Sequence, residues 1–329
     1  MKTILRTFVG CTAILFGTAC MGAVKYVPEN MKVELSLKVP GNNAVNYKLH
    51  PDKSDNKLPI TVFHKVEERD SCMRLTVQLT AAQDVYFNYR QLLSTGYRHD
   101  NCQFYMPGFW YRRNLRSPKK APSFHTSDSW LVREDRLSAP LTGIFSEKEK
   151  RFMTVNRLDD FSMDALATHK EGEIILSGKT SLGFTGFENQ QGIAMLSFGF
   201  PYREAPKSYI RKLTLAPEVE ACQLMKKGES VLLTWEIMES GADDFSDFIQ
   251  HTWEHCYDTY APKPVENSYS IADMKQVLSC FFVNSLVDNQ PLVYNSGIHL
   301  KVSDCERNGQ AEVGFIGRVL LNAFNAWEY

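Results

Sequence analysis

Apolar and polar residues alternate along most of the chain between residues 31 and 239. The segments 33–39 and 73–79 show this alternation clearly, with Val, Leu and Met at every second position. A period of two predicts strands that bury one face. Further predicted strands are 59–66, 85–90, 152–156, 173–184, 192–201, 209–215 and 231–238. Many short strands separated by Gly, Pro, Asn and Asp turns indicate a β-sandwich rather than a βαβ fold.

Beyond residue 241 the apolar residues follow the period of a helix. Asp243 or Asp244 can cap a first helix whose apolar face runs from Phe245 to Tyr260, before Ala261 and Pro262 end it. Residues 270–273 resemble a capping box for a second helix with apolar residues over 274–282. A third helix is predicted over about 313–327.

The three predicted helices have wide apolar faces. Burying one large apolar side chain is worth roughly 1.5–3 kcal/mol, so we expect these faces to be covered. The sandwich could shelter one or two helices. We therefore expect the chain to be a piece of a longer protein that supplies further helices.

The first 23 residues have the parts of an export signal. Lys2 and Arg6 precede an apolar run over 7–16, which is shorter than the about 20 residues that a membrane-spanning helix needs. Gly17 and Ala19 suit an ordinary signal peptidase, whereas Ala19 and Cys20 resemble a lipobox, in which Cys20 carries lipid. Both alternatives stay open. The expected location is the periplasm or the cell surface, with or without a lipid anchor in the outer membrane.

Composition and charge remove several function classes. The 329 residues have an apolar share of 43%, which is ordinary for a chain with a buried core, and a net charge of -1. Because no basic stripe is present, nucleic acid is not an expected partner. The glycines form no phosphate loop and no nucleophile elbow is present, so no cofactor is expected. His251 and His255 share a helix face, but the metalloprotease order is absent, so we expect packing on the sandwich rather than a metal site.

Residues 105–130 mix aromatic and polar side chains in a way that is typical of glycan sites. Sugar rings have apolar faces edged with hydroxyls, so they require aromatic rings beside directional donors and acceptors. An acidic sugar would also favour the guanidinium groups of Arg112, Arg113 or Arg133. The alternative is that the aromatic residues belong to the core and the arginines are solvated. The candidate glycan-binding residues are Trp110, Tyr111, Arg112, Asn114, His125, Asp128 and Trp130.

The segment 312–323, EVGFIGRVLLNA, resembles a helix start in the six-hairpin glycosidase-like superfamily. Members of this superfamily contain an α/α toroid, and multidomain members of Bacteroidetes type place a β-sandwich before it. The resemblance covers the last 90 or so residues by pattern and the sandwich only by architecture. The residue patterns predict a signal over 1–23, a β-sandwich domain over 26–240 and a helical segment over 241–329, which the resemblance identifies as the start of an α/α toroid. The predicted fold class is mainly β with an α-helical C-terminal part, a large two-sheet antiparallel β-sandwich followed by the first helices of an incomplete α/α toroid.

The resemblance implies an exported carbohydrate-active protein whose partner is a polysaccharide or oligosaccharide. The leading hypothesis is a fragment of a glycoside hydrolase-like enzyme, a reaction class that needs two carboxyl groups. Asp304, Glu306 and Glu312 flank the third helix start and are the acidic candidates, although a solvated loop explains them equally well. The alternatives are a non-catalytic glycan-binding surface lipoprotein that uses the loop over 109–130, and a fragment of a polysaccharide lyase.

Overall fold

A computed structural model describes residues 28–39, 42–50, 57–69, 72–117, 120–159, 174–177, 180–211, 213–263, 269–284, 294–295 and 311–312. The chain divides into two compact units, Met1–Ala261 and Pro262–Tyr329. Within the described residues, no helix has both the length and the apolar character that crossing a bilayer requires.

The first unit is built from sixteen described strands and one α-helix. In chain order the strands are β1 Met31–Lys38, β2 Val45–Leu49, β3 Ile60–Glu68, β4 Cys72–Ala81, β5 Val85–Arg98, β6 Cys102–Met106, β7 Trp110–Arg112, β8 Trp130–Arg133, β9 Leu141–Ser146, β10 Arg151–Arg157, β11 Ile174–Ser177, β12 Phe184–Gln190, β13 Ile193–Phe200, β14 Arg203–Arg211, β15 Thr214–Met225 and β16 Ser230–Gly241. The helix is α1, Phe245–Tyr260, and short 3-10 turns lie at Pro28–Asn30, His99–Asn101 and Glu134–Arg136.

These strands form two sheets, which confirms the predicted mainly β class. One sheet has nine strands in the order β11-β15-β14-β8-β12-β13-β5-β1-β2, and its β11–β15 pair is parallel. The other has seven antiparallel strands in the order β3-β4-β16-β10-β9-β6-β7, so β3 and β7 form its opposite edges. Residues that alternate along β1, β4, β5 and β16 bury their side chains between the sheets, among them Leu35, Val77, Phe87 and Trp235.

Two predicted strands differ from the observed ones because each spans residues that lie between two strands. The prediction over 173–184 covers β11 and only the first residue of β12. The prediction over 209–215 runs across the turn between β14 and β15, where Leu213 has a φ of 60°. Apolar residues stand on both sides of this turn, at Ile210 and Leu215, so the hydrophobic pattern alone does not reveal it. Conversely, β5 extends to Arg98, well beyond the predicted 85–90.

Helix α1 packs on the face of the seven-stranded sheet that points away from the other sheet. Its Phe248 lies against Phe145 and Phe152 of β9 and β10, at centroid distances of 5.9 and 5.0 Å. Gly143 makes this approach feasible, because a Cβ at that position would lie 2.6 Å from the Phe248 ring. The predicted cap is confirmed, since the Asp244 carboxylate accepts hydrogen bonds from the backbone N–H groups of residues 246 and 247 at 2.7 and 3.0 Å.

The second unit contains α2, Ile271–Asn284, and the short strand pair β17 Tyr294–Asn295 with β18 Ala311–Glu312. The predicted capping box is present: Ser270 Oγ accepts a hydrogen bond from Asp273 N–H at 3.1 Å, and the Asp273 carboxylate accepts one from Ser270 N–H at 3.0 Å. Glu312 ends β18. Cys20, Asp304, Glu306 and the predicted third helix lie outside the described residues.

Candidate functional site

A concave pocket of about 620 Å³ lies at the edge strand β7 and in the turn that follows it. The eight residues that line this arginine pocket come from β6, β7 and the turn, and are Gln103, Tyr111, Arg112, Arg113, Asn114, Leu115, Arg116 and Ser117. Three of them are arginines and none is acidic. The pocket therefore offers guanidinium donors, amide and hydroxyl groups, and one exposed aromatic ring.

The turn that forms the pocket is held by the Asn114 side chain. Its Oδ1 accepts a hydrogen bond from Tyr111 N–H at 3.1 Å, and its Nδ2 donates to the carbonyls of Phe109 and Pro122, each at 3.2 Å. Arg112 and Asn114 adopt left-handed backbone conformations, with φ of 58° and 49°. Asn tolerates this region better than most residues, whereas Arg112 is held there by its surroundings.

The three arginines have distinct surroundings. Arg112 donates to the Gln103 side-chain carbonyl at 3.1 Å, and its guanidinium lies 4.8 Å from the Phe245 ring centre. Arg113 donates to the backbone carbonyls of Cys102 and Asp100. Arg116 is exposed. Among the described residues none of the three forms a salt bridge, so their charges are available to an anion.

One carboxylate near the pocket belongs to Asp244, the cap of α1. The pKa of Asp244 is lowered mainly by the hydrogen bonds that its carboxylate accepts from backbone N–H groups. The positive charges of Lys150 and Arg112 lower this pKa further. This carboxylate also caps the helix N-terminus, and its negative charge partly offsets that of Arg112. A second carboxylate, that of Glu147, accepts a hydrogen bond from the side chain of the lining residue Gln103.

Trp110 and Trp130 are core residues, which corrects their prediction as glycan-binding rings. They are 0% and 1% exposed, and their rings lie 5.8 Å apart beside Phe124 and Phe187. Neither ring can present a face to a ligand. Their indole N–H groups serve the fold instead: Trp110 donates to the carbonyl of Arg112 at 2.9 Å, and Trp130 donates to that of Ser127 at 3.0 Å.

His125 and Asp128 lie behind the pocket and do not line it. His125 Nε2 bonds to the carbonyl of Leu115 at 3.0 Å, which ties the two sides of the loop together. The Asp128 carboxylate accepts a hydrogen bond from the Asn189 amide at 2.7 Å. Of the predicted residues, the structure brings Tyr111, Arg112 and Asn114 together in the pocket. Sequence reasoning missed Gln103 and Arg116, and no pattern in the sequence shows that Gln103 on β6 faces this turn.

Arg133 is buried and paired, which removes it from the candidates for an acidic sugar. Its guanidinium donates to the Asp135 carboxylate at 2.6 Å and lies 4.6 Å from the Tyr202 ring centre. Arg136 is similarly paired with Glu204. These charges satisfy one another inside the fold.

Glu134 is fully buried beside Arg157. Its Oε2 accepts hydrogen bonds from the Arg157 guanidinium at 2.6 Å and from Gly183 N–H at 2.8 Å, while no described residue bonds to its Oε1. Burial raises the pKa of Glu134, and the positive charge of Arg157 opposes that rise. This pair lies within the sandwich and not in the arginine pocket.

The two helix histidines have separate partners. His255 Nε2 bonds to Glu236 at 2.7 Å, an interaction that lowers the pKa of the glutamate, whereas His251 Nε2 lies 3.4 Å from Asp247. Across the described residues, no group of three or more potential ligands is close enough to hold a metal ion.

No protein-family model and no curated protein matches the chain. Similar solved structures include a polysaccharide lyase, with 13% identity and a TM-score of 0.31 over 68% of this chain and 27% of the lyase. Another is the Slr1438 protein from Synechocystis, with 7% identity and a TM-score of 0.29 over 55% of each chain. A third is a protein assigned as an aldose 1-epimerase from Klebsiella pneumoniae, with 9% identity and a TM-score of 0.34 over 69% of this chain and 58% of the other. The chain thus spans less than two thirds of each of these proteins, and likeness at this level identifies neither a family nor an activity.

Proposed function

We propose that the protein binds acidic saccharides through the arginine pocket. The observation that carries this proposal is the lining itself: Arg112, Arg113 and Arg116 all line one concavity whose lining includes no acidic residue. Guanidinium groups match planar carboxylates with paired, charge-assisted hydrogen bonds. A uronate carboxylate or a sugar sulfate has the charge and the acceptor geometry that this lining favours.

The other lining residues favour a sugar over a simple anion. Tyr111 is 49% exposed, so its ring offers an apolar face to the C–H groups of a pyranose. Ser117 adds a hydroxyl group that can bond to sugar hydroxyls, whereas the amides of Gln103 and Asn114 already bond within the protein and shape the wall. A long polyphosphate is disfavoured, because the net charge of -1 provides no extended positive field.

Calorimetric titration with defined sugars tests the proposal. We expect oligogalacturonate or a sulfated oligosaccharide to bind, and a neutral oligosaccharide of the same length to bind more weakly. Raising the salt concentration should weaken binding of the acidic ligand more than binding of the neutral one, because salt screens exposed charge pairs. Equal affinity for acidic and neutral sugars would refute the assignment.

The matched variant removes two pocket charges. Arg112→Ala combined with Arg116→Ala should abolish the preference for acidic sugars. The control is Arg69→Ala, which removes an exposed arginine at the β3–β4 end of the sheet, opposite the β7 edge. If the control variant weakens binding as much as the pocket variants do, the interaction is non-specific and the pocket is not the site.

We further propose that this binding serves an exported polysaccharide-processing protein. The charged and apolar residues of the first 23 positions support export, and Cys20 supports a lipid anchor as the alternative to ordinary cleavage. Mass determination of the mature N-terminus after expression in a Gram-negative host distinguishes a diacylated Cys20 from a free N-terminus. An intact Met1 in the cytoplasmic fraction would exclude both.

Catalysis by this chain remains a separate hypothesis with its own test. A hydrolase releases reducing ends from an acidic polysaccharide, whereas a lyase leaves an unsaturated product that absorbs in the ultraviolet. Substituting Asp304, Glu306 or Glu312 should remove any such hydrolase activity. Activity that survives all three substitutions would exclude these acids as catalytic groups.

A further inference from the structure

Aromatic side chains continue from the arginine pocket onto α1. Tyr111, in the pocket, packs on the ring of Tyr105 with a centroid distance of 5.3 Å. The Tyr105 hydroxyl in turn accepts a hydrogen bond from the Trp253 indole N–H at 2.5 Å. Tyr105 itself is buried, whereas Trp253 is 41% exposed. Two exposed rings, one on β7 and one on α1, are therefore linked through one buried ring.

The surface continues one helical turn further along α1. Tyr257 follows Trp253 by four residues, so both side chains lie on the same helix face, and Tyr257 is 65% exposed. The helix that presents them is fixed to the sheet by the buried side chains of Phe248 and Cys256. Arg112, stacked on Phe245 at the start of α1, provides a second connection between the pocket and this helix.

The link between the two elements is stable across the physiological pH range. Burial raises the pKa of Tyr105 to about 12, so its phenol keeps its proton and can accept from the Trp253 indole without carrying a charge. Trp253 and Tyr111 therefore have fixed positions relative to each other, which reduces the conformational entropy that the protein loses when a ligand binds across both.

We infer that Tyr111, Trp253 and Tyr257 form an aromatic track that extends the arginine pocket into an elongated site for an acidic oligosaccharide chain. The inference rests on the proposed function of the pocket. One acidic residue of the chain occupies the arginine pocket, and the following sugar residues stack on the exposed rings. The occupant is a saccharide chain because the track is continuous with the pocket and its exposed rings offer apolar faces to the C–H groups of successive pyranose rings.

Chain length is the discriminating variable. Galacturonic acid, its dimer and its hexamer should bind the wild-type protein with affinity that rises with length, because only the longer ligands reach α1. Trp253→Ala should lower the affinity for the hexamer by about tenfold, which corresponds to one good ring contact, and leave the affinity for the monomer unchanged. Tyr257→Ala, at a more exposed position, should weaken the hexamer by a smaller factor.

Two further variants separate stacking from support of the fold. Trp253→Phe keeps an aromatic face but loses the N–H donor, so it should retain most of the hexamer affinity. Phe63→Ala removes a ring about as exposed as that of Tyr257 from β3, at the opposite edge of the sheet. It should leave the hexamer affinity unchanged. Circular dichroism and urea unfolding of each variant identify losses that come from misfolding. If Trp253→Ala fails to fold, Tyr257→Ala and Trp253→Phe still test the track.

The outcomes distinguish the inference from the proposal beneath it. Two results would overturn the track and leave the proposed function of the pocket standing. One is equal affinity for monomer and hexamer. The other is hexamer binding by Trp253→Ala and Tyr257→Ala that is as tight as in the wild type. Absence of binding at every length, with sulfated oligosaccharides as well, overturns the proposed function and the track together. Length-dependent binding that is lost in the α1 variants and kept in Phe63→Ala supports both.

Discussion

Trp110 and Tyr111 are adjacent in sequence but should respond to substitution in opposite ways. In β7 the Trp110 side chain points into the core and is 0% exposed, while that of Tyr111 points outwards. Replacing Trp110 should therefore affect stability, and replacing Tyr111 should affect binding. The two variants together test which face of β7 points into the core.

The expected magnitudes follow from the contacts. Trp110→Ala removes a ring that packs 5.1 Å from Phe187 and 5.8 Å from Trp130, so it should destabilise the protein by about 3–5 kcal/mol. Trp110→Phe keeps most of the packing but leaves the carbonyl of Arg112 without its donor, which costs about 1–3 kcal/mol. Tyr111→Ala should change the free energy of unfolding by about 0.5 kcal/mol or less.

Urea unfolding followed by circular dichroism measures the stability changes, and calorimetric titration with oligogalacturonate measures the binding changes. Tyr111→Ala should weaken binding by roughly twofold to tenfold, as expected for the loss of one ring contact. The reasoning would be refuted if Trp110→Phe unfolded at the wild-type urea concentration and yet lost the ligand. That result would mean that Trp110 contacts the sugar and that β7 has the opposite orientation.

Three further predictions concern the interior of the sandwich. Gly186→Ala should prevent folding, because its Cβ would lie 1.9 Å from the carbonyl oxygen of Trp130 on the paired strand; a soluble, cooperatively unfolding variant would contradict this close approach. Arg157→Ala should destabilise the protein by about 3–5 kcal/mol in urea, since it leaves the buried Glu134 carboxylate without its guanidinium partner; a change below 1 kcal/mol would show that the pair is hydrated. Burial raises the pKa of Cys102 to about 12, so only about one thiol in ten thousand is ionised at pH 8, and alkylation of the native protein should rise about tenfold per pH unit. Labelling in urea is expected. Rapid labelling of the native protein at neutral pH, detected by mass spectrometry, would contradict this prediction.

The sequence pattern was sufficient for the fold class and for local signals. A period of two predicted the sandwich strands, and side chains that bond to their own backbone predicted the caps of α1 and α2 at Asp244 and Ser270. Such signals depend on neighbours within a few residues. Strand length and sheet order depend on pairing between distant segments, which is why β5, whose second half pairs with β1 and β13, was predicted too short.

The candidate site was predicted only in part. Several of its residues within one contiguous segment could be identified from the sequence, whereas those that are distant in sequence could not. Tyr111, Arg112 and Asn114 lie together in the chain and were identified. In a three-residue strand, however, the pattern does not show which side chain points inwards. Only the register of β7 against β6, with Trp110 opposite Met106, places the tryptophan in the core. Phe245, which supports Arg112, lies more than a hundred residues away.

The backbone of the pocket turn connects the core to the proposed function. Residues other than glycine adopt left-handed conformations at a cost of roughly 1–3 kcal/mol, and the turn contains two, at Arg112 and Asn114. The Trp110 indole and the Asn114 amide hold this conformation through hydrogen bonds to the carbonyls of Arg112 and Phe109. These two side chains thus stabilise the left-handed backbone of the turn whose arginines line the pocket. Because the turn is held in place before any ligand arrives, binding loses less entropy; the buried aromatic residues of this segment contribute to recognition by support, whereas the exposed Tyr111 contributes by contact.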